Sequence, residues 1–136
     1  MKRLPTDLQI LNQIYEWYYD EFVKFTKENK ERETKILVPI DIEKIAQKMK
    51  VDGDIVFGRL YYHLDKKHGY KKEDGSSVPL FTLIAGKDRH CVNFPLMASV
   101  LADLRQENKK YRMATTLAVV SLFISIVSLL ISLLVI

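Results

Sequence analysis

Near the start of the chain, Leu8, Leu11, Tyr15, Tyr18, Phe22 and Phe25 recur at steps of three and four, which predicts an amphipathic helix opening at Asp7 after Pro5 and Thr6. Beside that face run Ile10, Ile14 and Trp17, an apolar arc wider than one packing neighbour needs, so part of it is expected to meet another subunit. The charged run from Lys27 to Lys35 ends the pattern and reads as a solvated helix end or loop. After Val38, Pro39 and Ile40, Asp41 is a good N-cap for a short helix whose apolar positions are Ile42, Ile45, Ala46 and Met49. Val51, Asp52, Gly53 and Asp54 supply a glycine for a sharp bend and carboxylates to cap a further helix. Its core face is Ile55 or Val56, then Leu60 and Leu64, and Gly69 and Tyr70 close it. A polar loop from Lys71 to Pro79 precedes two strand-like runs, Leu80 to Ile84 and His90 to Phe94, joined by a hairpin turn at Gly86, Lys87 and Asp88. A last amphipathic helix from Pro95 through Leu96, Val100, Leu101 and Leu104 has no Gly or Pro between Leu96 and Ile136 to stop it.

The stretch from Met113 to Ile136 carries no charged residue. At a rise of ~1.5 Å per residue it reaches roughly 36 Å, enough to cross a hydrocarbon core of ~30 Å with some tilt. All 21 Lys and Arg precede it. Arg105, Lys109, Lys110 and Arg112 crowd its near end and no positive residue lies beyond it, which predicts a cytoplasmic N-terminal domain on a single-pass, tail-anchored helix. Lys2 and Arg3 lead no apolar core before Pro5 and Asp7, so no cleavable leader is expected. The single cysteine, Cys91, makes no internal disulfide, in keeping with a reducing compartment. Of the net charge of +4, half falls between residues 95 and 112, where four basic groups face two acidic ones. That share serves topology and contact with anionic lipid heads, so the basicity says little about nucleic acid.

Between residues 41 and 94 the sequence resembles winged-helix domains. Ile45-Ala46, Met49, Val51, Val56, Arg59-Leu60, Leu64 and Gly69-Tyr70 stand where that family places its own apolar and glycine positions, and the two strand-like runs stand where it places its wing. The resemblance implies a mainly α fold with a small β-hairpin. The expected organisation is a cytosolic domain over residues 1–112, with an N-terminal helix, a helix-turn-helix at 41–66, a wing at 70–94 and a linking helix at 95–112. A transmembrane helix at 113–136 follows.

In transcription factors of that family the second helix of the motif enters the DNA major groove. Here the corresponding exposed positions are Asp52, Asp54, Phe57, Gly58, Tyr61 and Tyr62, and two carboxylates at the tip would face phosphates. The expected function is therefore a non-enzymatic, membrane-tethered interaction or regulatory module, with Phe57, Tyr61 and Tyr62 as a docking surface for a protein partner. The alternative is a membrane-anchored DNA-binding regulator that grips phosphates through Lys48, Arg59, Lys71, Lys72, Lys87 and Arg89, with Lys44 and Lys50 beside them.

Catalytic and metal chemistry find little support. His90 and Cys91 are neighbours on a predicted strand and point to opposite faces, and His63 and His68 lack the spacing of a zinc site. No phosphate loop or nucleophile elbow is present, and no cofactor is expected. In the apolar segment every Ala and Ser falls in one register: Ala114, Ala118, Ser121, Ser125, Ser128 and Ser132, at steps of four and three. Such a seam lets two helices approach closely in lipid, which predicts a homo-oligomer with a left-handed crossing. Continued backward it takes in Tyr111, Glu107, Leu104, Val100 and Met97. In the other reading each Ser bonds its own helix backbone at i−4.

Overall fold

The computed structural model describes residues 3–136, so Met1 and Lys2, the first of the two basic residues weighed as a leader, lie outside it. The chain divides into two compact units, Met1–Ala102 and Asp103–Ile136.

The first unit opens with helix α1 (Asp7–Lys24). It starts at the expected residue, and its cap is Thr6: the Thr6 hydroxyl accepts from Gln9 N while the Gln9 side chain accepts from Thr6 N, a capping box that satisfies two otherwise orphaned donors. Ile10, Leu11 and Ile14 are buried. The stripe expected to meet another subunit is thus largely core. The reason is that α1 is covered from more than one side, by the later helix and strand of this unit and by Phe94, on whose ring Tyr15 and Phe22 stack at 5.6 and 4.8 Å. The charged run after α1 does more than dissolve in solvent. Arg32 turns back and donates to the carbonyls of Glu21 at 3.0 Å, Phe22 at 3.4 Å and Lys35 at 2.8 Å, closing the last turn of α1 from outside the helix.

Strand β1 (Leu37–Pro39) follows, where no strand was expected. It is short and lies at a sheet edge, which tolerates a proline that has no N–H to give. Helix α2 (Ile42–Met49) is capped by Asp41, whose carboxylate accepts from Lys44 N at 3.1 Å. The bend after α2 is made by Lys50 in the left-handed region (φ 59°), with Val51 N reaching back to the Ala46 carbonyl at 3.0 Å. Gly53, expected to make that bend, instead begins helix α3 (Gly53–Gly58), and a Cβ there would run into the Glu43 carboxylate.

Helix α3 passes without a break into a wider turn over Arg59–Leu64, where Asp65 N bonds the Leu60 carbonyl five residues back, and then into α4 (Asp65–His68). Val56, Leu60 and Leu64 are buried, and Ile55 is 41% exposed, which settles the open choice between Ile55 and Val56. Gly69 leaves the run in an extended conformation (ψ 150°), and the position suits glycine because a Cβ there would lie 2.6 Å from the Asp65 carbonyl oxygen. The expected polar loop contains a two-rung hairpin, β2 (Tyr70–Lys71) with β3 (Ser77–Val78). Strands β4 (Phe81–Ala85) and β5 (Asp88–Asn93) then pair through a two-residue turn in which Gly86 takes φ +62°. The main sheet is antiparallel with order β1-β5-β4.

Helix α5 (Phe94–Val135) begins under the Asn93 amide, which accepts from Leu96 N at 3.2 Å and donates to the Pro79 carbonyl at 3.1 Å. Phe94, Met97, Val100 and Leu101 are buried in the first unit. The expected backward extension of the small-residue seam does not hold, because Met97 and Val100 are core side chains and are not available to a second helix. The second unit is the remainder of α5, and it contains an apolar stretch long enough to cross a membrane.

Candidate interaction surface

Four separate segments meet around a groove of about 680 Å³ on the first unit. Tyr18 comes from α1, the continuous run Pro39 to Glu43 from the end of β1 and the start of α2, Gly53, Asp54 and Phe57 from α3, and His90 from β5. Among these lining residues are three carboxylates, Asp41, Glu43 and Asp54, and no Lys or Arg. The arrangement is held by specific contacts. Tyr18 Oη accepts from Asp41 N at 2.8 Å, fixing the end of β1 against α1, and burial is the main cause that raises the Tyr18 hydroxyl above its ordinary pKa. Lys44, beside Glu43, lies over the Trp17 ring at 4.9 Å.

The aromatic residues singled out in the sequence are brought together. Phe57 is half-buried, Tyr61 is 36% exposed and Tyr62 is 69% exposed. Phe57 stacks on Tyr61 at 5.3 Å and meets Tyr62 edge-on at 6.2 Å, while Tyr61 and Tyr62 meet at 5.0 Å. The wide turn explains why residues four and five positions after Phe57 both reach its ring, since its i→i+5 bonding spaces side chains more broadly than an α-helix. Behind them Phe81 and His90 complete the cluster, at 5.8 Å each from Phe57. His90 reaches that position from the left-handed region (φ 54°), where the β4 to β5 ladder has no rung between Thr82–Cys91 and Ile84–Arg89. No local pattern in the sequence announces Tyr18, Asp41, Glu43 or His90 as neighbours; only the folded chain collects them.

The basic residues of the DNA alternative are placed differently. Arg59 is paired with Asp7, which also has His63 Nε2 at 3.5 Å, so its guanidinium ties the wide turn to the start of α1. Lys48, Lys71 and Lys87 line three separate surface hollows, and the last of these carries Lys30, Arg32 and Lys87 together with Glu31, Glu33 and Asp88. Lys72 lies in the turn of the small hairpin and Arg89 is exposed on β5. Asp52 is occupied as the cap of α3, accepting from Asp54 N at 2.9 Å, and Asp54 itself is exposed.

Cys91 is fully buried, and burial pushes its thiol up to about 11, so it stays protonated and inert at neutral pH. Among the described residues no group of three or more His, Cys, Asp and Glu converges as metal ligands would. In the second unit the hydroxyls of Ser125 and Ser132 donate to the carbonyls of Ser121 and Ser128 at 2.9 and 3.0 Å, the bonding of the backbone alternative. Arg105, Lys109, Lys110 and Arg112 lie on α5 ahead of the apolar segment. Compared with protein-family models, curated proteins and solved structures, the chain finds no match in any of the three.

Proposed function

We propose that the protein is a membrane-tethered, winged-helix-like interaction module that uses its acidic, aromatic-floored groove to hold a basic segment of a protein partner. The observation that carries this reading is the composition of the groove: three carboxylates, two aromatic rings and an imidazole, with no Lys or Arg among the described residues that line it, in a chain of net charge +4. A cationic side chain entering there meets charge complementarity at the rim and ring faces at the floor. A DNA phosphate meets repulsion instead. The winged-helix likeness is supported by the order helix, strand, helix, helix, hairpin and by β5 lying between β1 and β4. The charge distribution about the apolar helix favours a cytoplasmic position for the domain.

The test is a titration of the full chain in neutral detergent with two decapeptides of equal apolar content, one carrying Arg and Lys and the other Asp and Glu, and with a 20-base-pair duplex. The basic peptide is expected to bind and to lose at least tenfold in affinity when Glu43→Lys and Asp54→Lys are combined, while the duplex stays unbound at physiological salt. Site-selective duplex binding at that salt, or equal peptide affinity in the variant, would overturn the reading in favour of the DNA regulator or of another surface.

Self-association belongs to the same proposal and rests on the Ala114 to Ser132 register alone. Because Ser125 and Ser132 satisfy their hydroxyls internally, the seam would work by small size more than by hydroxyl bonds across the gap. Ser125→Leu with Ser128→Leu should abolish crosslinking between copies in membranes, whereas Ile124→Leu with Leu130→Ile should leave it intact. Equal crosslinking in the two variants would remove the seam from the proposal.

A further inference from the structure

Charge on the second unit is sorted around the helix as well as along it. Taking about 100° per residue, Arg105, Lys109 and Arg112 fall within an arc of about 60°, and Asp103, Glu107 and Lys110 fall within a similar arc on the opposite side. One side therefore carries three positive groups and no negative one, and the other carries one positive and two negative groups. Topology does not require this sorting, since the positive-inside bias counts residues near the helix end whichever way they face. The basic side also borders a hollow of about 460 Å³ lined by Arg105, Asn108, Lys109, Arg112, Met113, Thr116 and Leu117, whose lower part is the start of the apolar stretch. Arg105 to Arg112 covers roughly 10 Å of helix rise, and Met113 begins the charge-free segment at once.

We propose that this face binds an anionic phospholipid, with the headgroup phosphate held by Arg105, Lys109 and Arg112, Asn108 beside it, and an acyl chain lying along Met113, Thr116 and Leu117. The charge complements a phosphate, the apolar end complements a chain, and the order of the two along the helix is the order of the two parts of a lipid at a bilayer surface. The inference rests on the apolar segment crossing a bilayer. It is distinct from the groove, because every residue it uses lies on the second unit.

The test uses the full chain reconstituted into nanodiscs of phosphatidylcholine with one part in five phosphatidylglycerol, followed by native mass spectrometry of the lipids that remain on the ejected protein. The wild-type chain is expected to retain phosphatidylglycerol several-fold above its share of the bilayer. Lys109→Gln should reduce that enrichment about fivefold, as expected for one basic residue near the surface. Lys110→Gln makes the same chemical change one residue away on the other side of the helix and should leave it unchanged. Absence of enrichment in the wild-type chain overturns the proposal and leaves the basic face to an acidic protein segment. Equal losses for Lys109→Gln and Lys110→Gln also overturn it, because a diffuse attraction would not distinguish the two sides. Failure of the anchor itself reads differently, since a chain that does not insert yields no nanodisc complex to analyse.

Discussion

Replacing Asp65 with alanine should lower the thermal unfolding midpoint of the first unit by on the order of 15 °C, while Asp65→Asn should change it by only a few degrees. Asp65 Oδ1 accepts from Leu80 N at 2.8 Å and from Phe81 N at 3.1 Å, and both of those residues are buried, with 0% and 1% exposure. Alanine leaves two backbone donors without a partner at about 1–3 kcal/mol each, partly relieved by water at this half-buried site, for a total of about 3 kcal/mol. A domain of this size loses roughly 4–8 °C for each kcal/mol. Asparagine keeps an acceptor oxygen where both bonds end, so the pair of variants separates the loss of the acceptor from the loss of the charge. Melting of the full chain in detergent, followed by near-ultraviolet circular dichroism, reads both quantities. Equal destabilisation by Ala and Asn would mean that the charge, and not the acceptor, holds this junction. The consequence reaches the groove, because Phe81 lies against Phe57, Tyr61 and His90 at 5.8, 6.4 and 6.2 Å. Its loosening should flatten the aromatic near-ultraviolet signal before the helices melt.

Asp65 also marks the boundary of what was legible in the sequence. Helices α1 and α2, the β4–β5 hairpin and the uninterrupted α5 could be read because each is specified locally, by apolar spacing, a capping residue or a turn glycine. Strand β1 was not readable. It has three residues, one of them a proline, and it exists only because β5 lies beside it. The wide turn at Arg59–Leu64 has no sequence signal either, since an α-helix accommodates the same buried positions Leu60 and Leu64 at i and i+4. The aromatic part of the surface could be named in advance because Phe57, Tyr61 and Tyr62 are close in sequence. Its acidic part could not, because Asp41 and Glu43 join Asp54 only when the starts of α2 and α3 come together, with the Glu43 carboxylate lying over Gly53. The misassigned stripe on α1 has the same origin: periodicity shows which side of a helix is apolar, and it does not show how many neighbours cover that side.

The largest effect is expected in the apolar half of α5. Combining Ile124→Arg with Ile126→Arg should move most of the protein out of the membrane fraction, while Ile124→Ala with Ile126→Ala should leave it there. Both positions are exposed and lie near the middle of the charge-free stretch, whose most apolar window has a mean hydropathy of 2.8. An arginine at the centre of a spanning helix costs about 2.5–3.5 kcal/mol and each isoleucine lost removes a further ~0.5 kcal/mol, so the pair costs roughly 6–8 kcal/mol. Residues two apart on a helix point about 200° from each other, so no single sheltered face can take both guanidinium groups, and both are too far from the interface to reach it easily. Alanine removes only side-chain area, and the remaining Leu, Ile, Val and Phe keep insertion favourable. Flotation of carbonate-washed membranes through a density gradient distinguishes lipid-embedded protein, which rises, from soluble or aggregated protein, which does not. Rising of the arginine pair together with the alanine pair would mean that membrane retention does not depend on burying the centre of this segment in hydrocarbon, and the single-pass reading would fall with it.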